Sequence, residues 1–188
     1  MSIAETSTPA EDPATRQRAI RAHEPEYGEI VEFLYEEAAL LDHLEYQRWG
    51  DLLDEGLSYR APLRQTRTMA DNDKAQHHNM AHFADNYRTM MFRINRLINT
   101  KSAYAEDPPS RTRRLVTNIR AWNTAADEYT VISYLTITRN RFDEGNMTVL
   151  SGEREDVLRR GPQGLKLLKR SIVLDQSTLG VPNLAIFL

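Results

Sequence analysis

The 188-residue chain contains no cysteine. It therefore has no disulfide framework, no thiolate zinc site and no thiolate-ligated iron–sulfur cluster of its own. The absence also fits a reducing cytoplasm. Glycine is scarce, with eight in all and no two separated by a single residue. That excludes the Gly-x-Gly turn of a dinucleotide site and the Gly-rich cradle of a phosphate loop. No Gly-x-Ser-x-Gly elbow and no EF-hand loop occurs. No apolar run approaches the roughly 18 residues that a membrane-spanning helix requires. Positive charge is not in excess: 24 Lys and Arg stand against 27 Asp and Glu, a formal net charge of −3. With a pI near 6.0, this argues against nucleic acid as a partner. The expectation is a cytoplasmic protein that engages neither nucleic acid nor a membrane.

What is present is enough for one folded domain: 40% hydrophobic and 27% charged residues. Residues 1–22 are rich in Ser, Thr, Ala, Pro and Glu. They lack the basic-then-apolar order of a secretory signal and read as a disordered or draped arm. Residues 23–188 read as a single α+β domain. Ile30, Phe33, Leu34, Ala38 and Leu41 share a helical stripe, while Glu29, Glu32, Glu36 and Glu37 fall mostly elsewhere. The spacing predicts an amphipathic helix over 25–41, with Pro25 in its first turn. Asp42-His43-Leu44-Glu45 has the form of a capping box for a second helix through Tyr46, Trp49, Leu52 and Leu53, with Trp49 as a core anchor. Gly56 ends that helix, and 57–63 reads as a strand closed by Pro62. Residues 64–81 are polar without clear period and read as a long surface excursion. A third helix is expected over 83–98, followed by a loop broken at Pro108-Pro109.

From there the period switches to two. Residues 112–123, 128–142, 146–160 and 164–176 alternate, are rich in Val, Ile, Thr and Tyr, and are joined by turn-sized segments. They predict a four-stranded antiparallel meander, so helices come first and strands later in an α+β layer arrangement. The alternating-sign run Glu153-Arg154-Glu155-Asp156 must divide between two sheet faces, and charges on the inner face need partners. The chain stops on Ile186-Phe187-Leu188. Three solvated apolar side chains would forfeit roughly 1.5–3 kcal/mol each, so this segment is expected to dock, into its own core or onto another subunit.

Candidate chemistry centres on five histidines. His77, His78 and His82 cluster, and the last two have the i, i+4 spacing that puts two imidazoles on one helix face. With Asp85 they could hold zinc or iron, although no His-Glu-x-x-His pattern is present. The ordinary alternative is solvated imidazoles. Asp42 and His43 could serve as an acid/base pair, but neighbouring helix positions do not face each other and partners from elsewhere would be needed. Arg111-Thr112-Arg113-Arg114 reads either as a charged strand start that resists edge pairing or as a guanidinium clamp for carboxylates of a partner.

Several blocks in order carry a family resemblance. They are Phe33-Leu34-Tyr35-Glu36-Glu37-Ala38 with Leu41-Asp42, and Trp49-Gly50-Asp51-Leu52-Leu53-Asp54. Asp107 to Asn118, Gly152 to Arg160, Leu174-Asp175 and Asn183 to Leu188 complete the set. With them the chain, from about Tyr27 onward, resembles the small (beta) subunit of Rieske-type aromatic-ring-hydroxylating dioxygenases of the naphthalene and biphenyl class. The resemblance implies a cone-shaped curved antiparallel or mixed sheet wrapped around N-terminal helices, of the nuclear-transport-factor-two or scytalone-dehydratase kind. It implies a non-catalytic subunit with no catalytic, cofactor or metal residues of its own. Three small subunits would assemble with three large (alpha) subunits, and the small subunits would self-associate as a trimer. The large subunit would carry the Rieske 2Fe-2S cluster and the mononuclear Fe(II). Electrons from NADH or NADPH would arrive through a reductase and a ferredoxin, and arenes would leave as cis-dihydrodiols. Arg111, Arg113, Arg114, His77, His78, His82 and Leu188 are the expected subunit-interface residues. Two other readings stand beside this one. A free-standing cone-fold lyase or isomerase would use a His/Asp pair and lose activity on His43→Ala or His82→Ala. A plain trimeric scaffold would have no large partner.

Overall fold

The structure is a computed structural model that describes residues 18–64, 68, 76–100, 103–143, 145–181 and 183–188. The chain runs β1 (Arg18–Ile20), α1 (Pro25–Asp42), α2 (Tyr46–Gly50), β2 (Leu53–Arg64), β3 (Gln76–Asn86) and α3 (Tyr87–Asn99). A short 3-10 helix (Tyr104–Glu106) leads into β4 (Arg111–Ala125), β5 (Glu128–Asn140), β6 (Thr148–Gly161) and β7 (Gly164–Leu174). All seven strands form one sheet in the order β1-β4-β5-β6-β7-β2-β3. The expected meander is its centre, with β4 through β7 paired antiparallel in sequence order. β2 adds parallel to β7, so the sheet is mixed. Helices cover its inner face, giving the expected α+β cone.

α1 forms where the apolar stripe predicts it. Pro25 sits in the first turn, and Ile30, Phe33, Leu34, Ala38 and Leu41 are buried. Glu37 corrects the expected pattern, because it too points inward and is buried. The capping box at Asp42 does not form. Asp42 ends α1, Leu44 takes φ 61°, and Glu45 caps α2 without a side-chain bond. α2 is also shorter than expected: Leu52 accepts a hydrogen bond from the Leu167 amide at 2.8 Å, and the chain is drawn into the sheet by Leu53. Trp49 is fully buried, as its anchor role requires.

Pro62 does not close β2. It lies inside the strand with register shifts on both sides, as a residue without an N–H must. The polar excursion after it is partly a strand, since Gln76–Asn86 pairs with β2 along one sheet edge. Residues 65–67 and 69–75 of that excursion lie outside the described residues. α3 starts at Tyr87 rather than residue 83, fixed by a reciprocal capping box: the Thr89 amide donates to the Asn86 side chain at 3.0 Å and the Asn86 amide to Thr89 Oγ1 at 2.9 Å. Part of the expected N-terminal arm is also a strand. Arg18–Ile20 pairs with Ala121–Asn123 and buries Ile20, while residues 1–17 lie outside the described residues. At Gly152 of β6 the backbone of β7 leaves no room for a side chain: a Cβ there would stand 2.5 Å from the Val173 carbonyl oxygen.

Candidate functional site

In a cone fold the place for chemistry is the space between the inner sheet face and the helices. Here that space holds a network of paired charges and the last residues of the chain. β6 and β7 pair Asp156 with Arg170, and on both strands alternate side chains point in. Arg170 uses all five guanidinium hydrogens. Nε and Nη2 donate to the two Asp156 carboxylate oxygens at 2.8 Å each. Nη1 and Nη2 donate to the two Glu37 oxygens at 2.8 and 2.7 Å, and Nη1 also donates to Leu188 O at 3.0 Å. Glu37 is saturated as well, with Trp49 Nε1 at 3.2 Å and Arg154 Nη1 at 3.3 Å as further donors. Arg154 is held more loosely. Its Nε donates to Ser133 at 3.3 Å, and its Nη2 has no partner among the described residues.

Two guanidinium groups and two carboxylates leave this cluster neutral. Burial alone would raise the Glu37 carboxyl, but the Arg170 and Arg154 charges, with hydrogen bonds from Arg170 and Trp49, outweigh it and hold the group below the usual carboxylate range. Burial and the neighbouring Arg170 charge lower Arg154. Arg170 is raised because Asp156 and Glu37 outweigh its burial. Glu37 is thus held as an ionised acceptor and is not poised to give up a proton near neutral pH.

The C-terminal segment is gripped like a bound peptide by arginines from three strands. Arg139 of β5, itself paired with Glu106 at 2.7 Å and bonded to Ser110 at 2.9 Å, donates to Asn183 O at 2.9 Å. Arg114 of β4 donates to Phe187 O at 2.6 Å, and Arg170 of β7 to Leu188 O. Tyr59 donates to Leu188 O and accepts from its amide at 3.0 Å. The Phe187 ring lies 4.4 Å from Trp49 and 5.5 Å from Tyr46, with the Arg93 guanidinium 4.9 Å from its centroid. Leu188 is wholly buried, so the segment docks into its own core.

The residues singled out from sequence are not brought together. Asp42 accepts from Thr112 Oγ1 at 3.0 Å and from the Arg114 amide at 2.9 Å, and is ion-paired with Arg114. His43 is exposed, with Nδ1 2.8 Å from Ala39 O. The dyad therefore does not form. Asp85 pairs with Arg93 at 2.5 Å rather than with a histidine. His77 and His78 lie on β3, and their side chains fall outside the described residues. His82 is half-buried on the same strand, and burial lowers its pKa. Along a strand positions i and i+4 are about 13 Å apart, not the roughly 5–6 Å of adjacent helix turns, so the spacing no longer brings two imidazoles to one ion. Among the described residues no three His, Asp or Glu cluster as a metal site would need.

Arg111 donates to Asn140 and to Phe142 O within its own chain. Arg114 turns inward, with 3% of its side chain exposed, whereas Arg113 is 70% exposed. Arg113 stands between two surface grooves of about 510 and 480 Å³. Exposed Tyr35 and Leu115 line one, Leu44 and Met147 the other. The inward Glu37, Glu106, Arg139, Arg154, Asp156 and Arg170 were not singled out as a site from sequence. The available signal was phase: Arg170 lies two and four residues before Ile172 and Leu174, and Arg154 and Asp156 precede Leu158 in the same step.

A family model described as "Ring hydroxylating beta subunit" matches residues 36–180. The chain belongs to this family. Among curated relatives, the biphenyl 2,3-dioxygenase subunit beta of Rhodococcus jostii is 39% identical over 166 residues, covering 85% of this chain and 87% of the relative. Among solved structures, naphthalene 1,2-dioxygenase with indole in its active site superimposes with a TM-score of 0.75 at 23% identity, over 91% of this chain and 90% of that one. A putative scytalone dehydratase from Novosphingobium aromaticivorans reaches 0.60 at 13% identity, over 84% of this chain and 89% of that one. These two structural likenesses speak for the cone fold alone. Membership makes this chain a beta-subunit homologue, and such a subunit implies an alpha-subunit partner.

Proposed function

We propose that this chain is the non-catalytic beta subunit of an aromatic-ring-hydroxylating dioxygenase, holding together an oxygenase that converts arenes to cis-dihydrodiols. The observation that carries this reading is the filled cone. Where a lyase would keep an open acid/base pocket, this chain inserts Phe187 and Leu188 and pairs its inner charges. The residues do not fit a Rieske cluster or a mononuclear iron: the chain has no thiolate ligand, and no triad of His, Asp or Glu gathers among the described residues. Both groups are assigned to the large subunit, with electrons from NADH or NADPH reaching it through a reductase and a ferredoxin. Three small and three large subunits form the assembly, in the cytoplasm, with the small subunits contacting one another around the threefold axis. Arg113, between its two apolar grooves, and the exposed Arg111 are the arginines of the 111–114 segment that face outward to a partner, and the β3 segment with His77, His78 and His82 is a second candidate contact.

The test is reconstitution. The isolated chain should neither bind iron stoichiometrically nor turn over arenes or dehydratase substrates, and it should restore cis-dihydrodiol formation when combined with the large subunit. Dehydratase or isomerase activity of the isolated chain, lost on His82→Ala, would overturn the proposal.

A further inference from the structure

Phe187 enters the cone from a segment that belongs to no helix or strand. Its buried ring fills a space walled by α2 and α3. Trp49 of α2 lies tilted against it, with 4.4 Å between centroids, and Tyr46 of the same helix meets it in a T-shaped contact at 5.5 Å. Arg93 of α3 closes another side, its guanidinium 4.9 Å from the Phe187 centroid and 5.4 Å from that of Phe83. Asp85 fixes Arg93 through an ion pair of 2.5 Å, and the two side chains are only 13% and 20% exposed. A guanidinium so held and withdrawn from water is worth most to a π face, and the tilted and T-shaped neighbours suit the quadrupole of a six-membered aromatic ring. An aliphatic group of equal bulk would use none of this.

The bonds that hold the segment do not involve the ring. Arg139 Nη1 and Nη2 donate to Asn183 O and Oδ1 at 2.9 and 3.0 Å, and Oδ1 also accepts from the Ala185 amide at 3.1 Å. Arg114 donates to Phe187 O at 2.6 Å, and the Leu188 amide donates to Tyr59 Oη at 3.0 Å. Loss of the phenyl group would therefore leave the segment anchored on both sides of the gap, above walls set by two packed helices.

We infer that the space between Trp49, Tyr46 and Arg93 is a binding site for a small neutral arene, which the chain fills with its own Phe187 side chain. The site takes one benzene-sized ring and, through Arg93, selects it over an alicycle of similar size. Such a site is a property of this chain alone and needs no large subunit.

Full-length Phe187→Ala vacates the site, and its urea unfolding with and without benzene reads the outcome, after circular dichroism has established that the variant is folded. Benzene at ten times its dissociation constant should raise the folding equilibrium constant of this variant about elevenfold and leave the wild type, whose site is filled, unmoved. Cyclohexane should bind about threefold or more weaker, and adding Asp85→Asn/Arg93→Met to Phe187→Ala should erase that difference. No rise with benzene in folded Phe187→Ala would overturn the inference. So would an equal rise in the wild type, or cyclohexane binding as tightly as benzene. If Phe187→Ala does not fold even with benzene present, a double-mutant cycle decides. Phe187→Leu should then lower the folding equilibrium constant about threefold or more beyond its effect in the Asp85→Asn/Arg93→Met background, and zero coupling would overturn the inference.

Discussion

Arg170 and Arg154 stand side by side in the same buried cluster and should respond very differently to removal. Arg170→Met takes away two bidentate carboxylate contacts and the hydrogen bond to Leu188 O. Asp156, wholly buried, loses both of its guanidinium bonds, and Glu37 keeps only the longer contacts from Trp49 and Arg154. Breaking a buried pair from one side costs about 3–5 kcal/mol, a large share of the 5–15 kcal/mol that holds an ordinary domain. Arg154→Met removes two bonds of 3.3 Å and a guanidinium that burial already disfavours. Its desolvation penalty disappears with it, and the change should stay within about 1.5 kcal/mol. Urea unfolding of the isolated chain at one fixed protein concentration, followed by tryptophan fluorescence, reads both. With a slope of about 2–3 kcal/mol/M, Arg170→Met should lower the midpoint by about 1–2 M and Arg154→Met by well under 1 M. Equal shifts, or the larger one in Arg154→Met, would show that the two arginines share the carboxylates evenly and would refute the division described above.

Glu37 should make the fold acid-sensitive. Its folded pKa lies below the unfolded value, so its stabilisation is complete above about pH 4.3 and is lost as pH falls through the lower folded value. Glu37→Gln should be less stable at pH 7 and show a shallower loss on acidification in urea titrations; an unchanged acid slope would contradict this. At the alkaline end Tyr46 is raised to about 12, chiefly by burial and then by the Glu106 charge. The unfolded phenol loses its proton first, near pH 10, so stability should decline from about pH 10 to 12, and Tyr46→Phe should flatten that decline. Gly152→Ala should cost about 1–3 kcal/mol in thermal or urea unfolding, because its Cβ would meet the Val173 carbonyl oxygen at 2.5 Å. Unaltered stability would mean that β6 and β7 part without penalty.

The sequence by itself determined the parts of this protein whose order is local. The α1 stripe, the four alternating strands and their turns all follow from spacing along the chain, because side-chain direction repeats every 3.6 or every two residues. The buried Trp49 and the docked apolar end were legible for the same elementary reason, the loss incurred by leaving large apolar surface in water. The order of the matching blocks was enough to indicate the family. Only the tertiary structure decided what β3 is, since Gln76–Asn86 has no strand signature of its own and becomes a strand by pairing with β2. It also shortened α2, through the pull of Leu167 on Leu52. Above all it decided which charges are inside. Glu36 and Glu37 are neighbours of one residue type, yet one lies on the surface beside Arg48 and the other is buried between Arg154 and Arg170. Their fates differ because the partners that make burial tolerable come from β6 and β7, more than a hundred residues away, and no local pattern records an encounter that only folding creates.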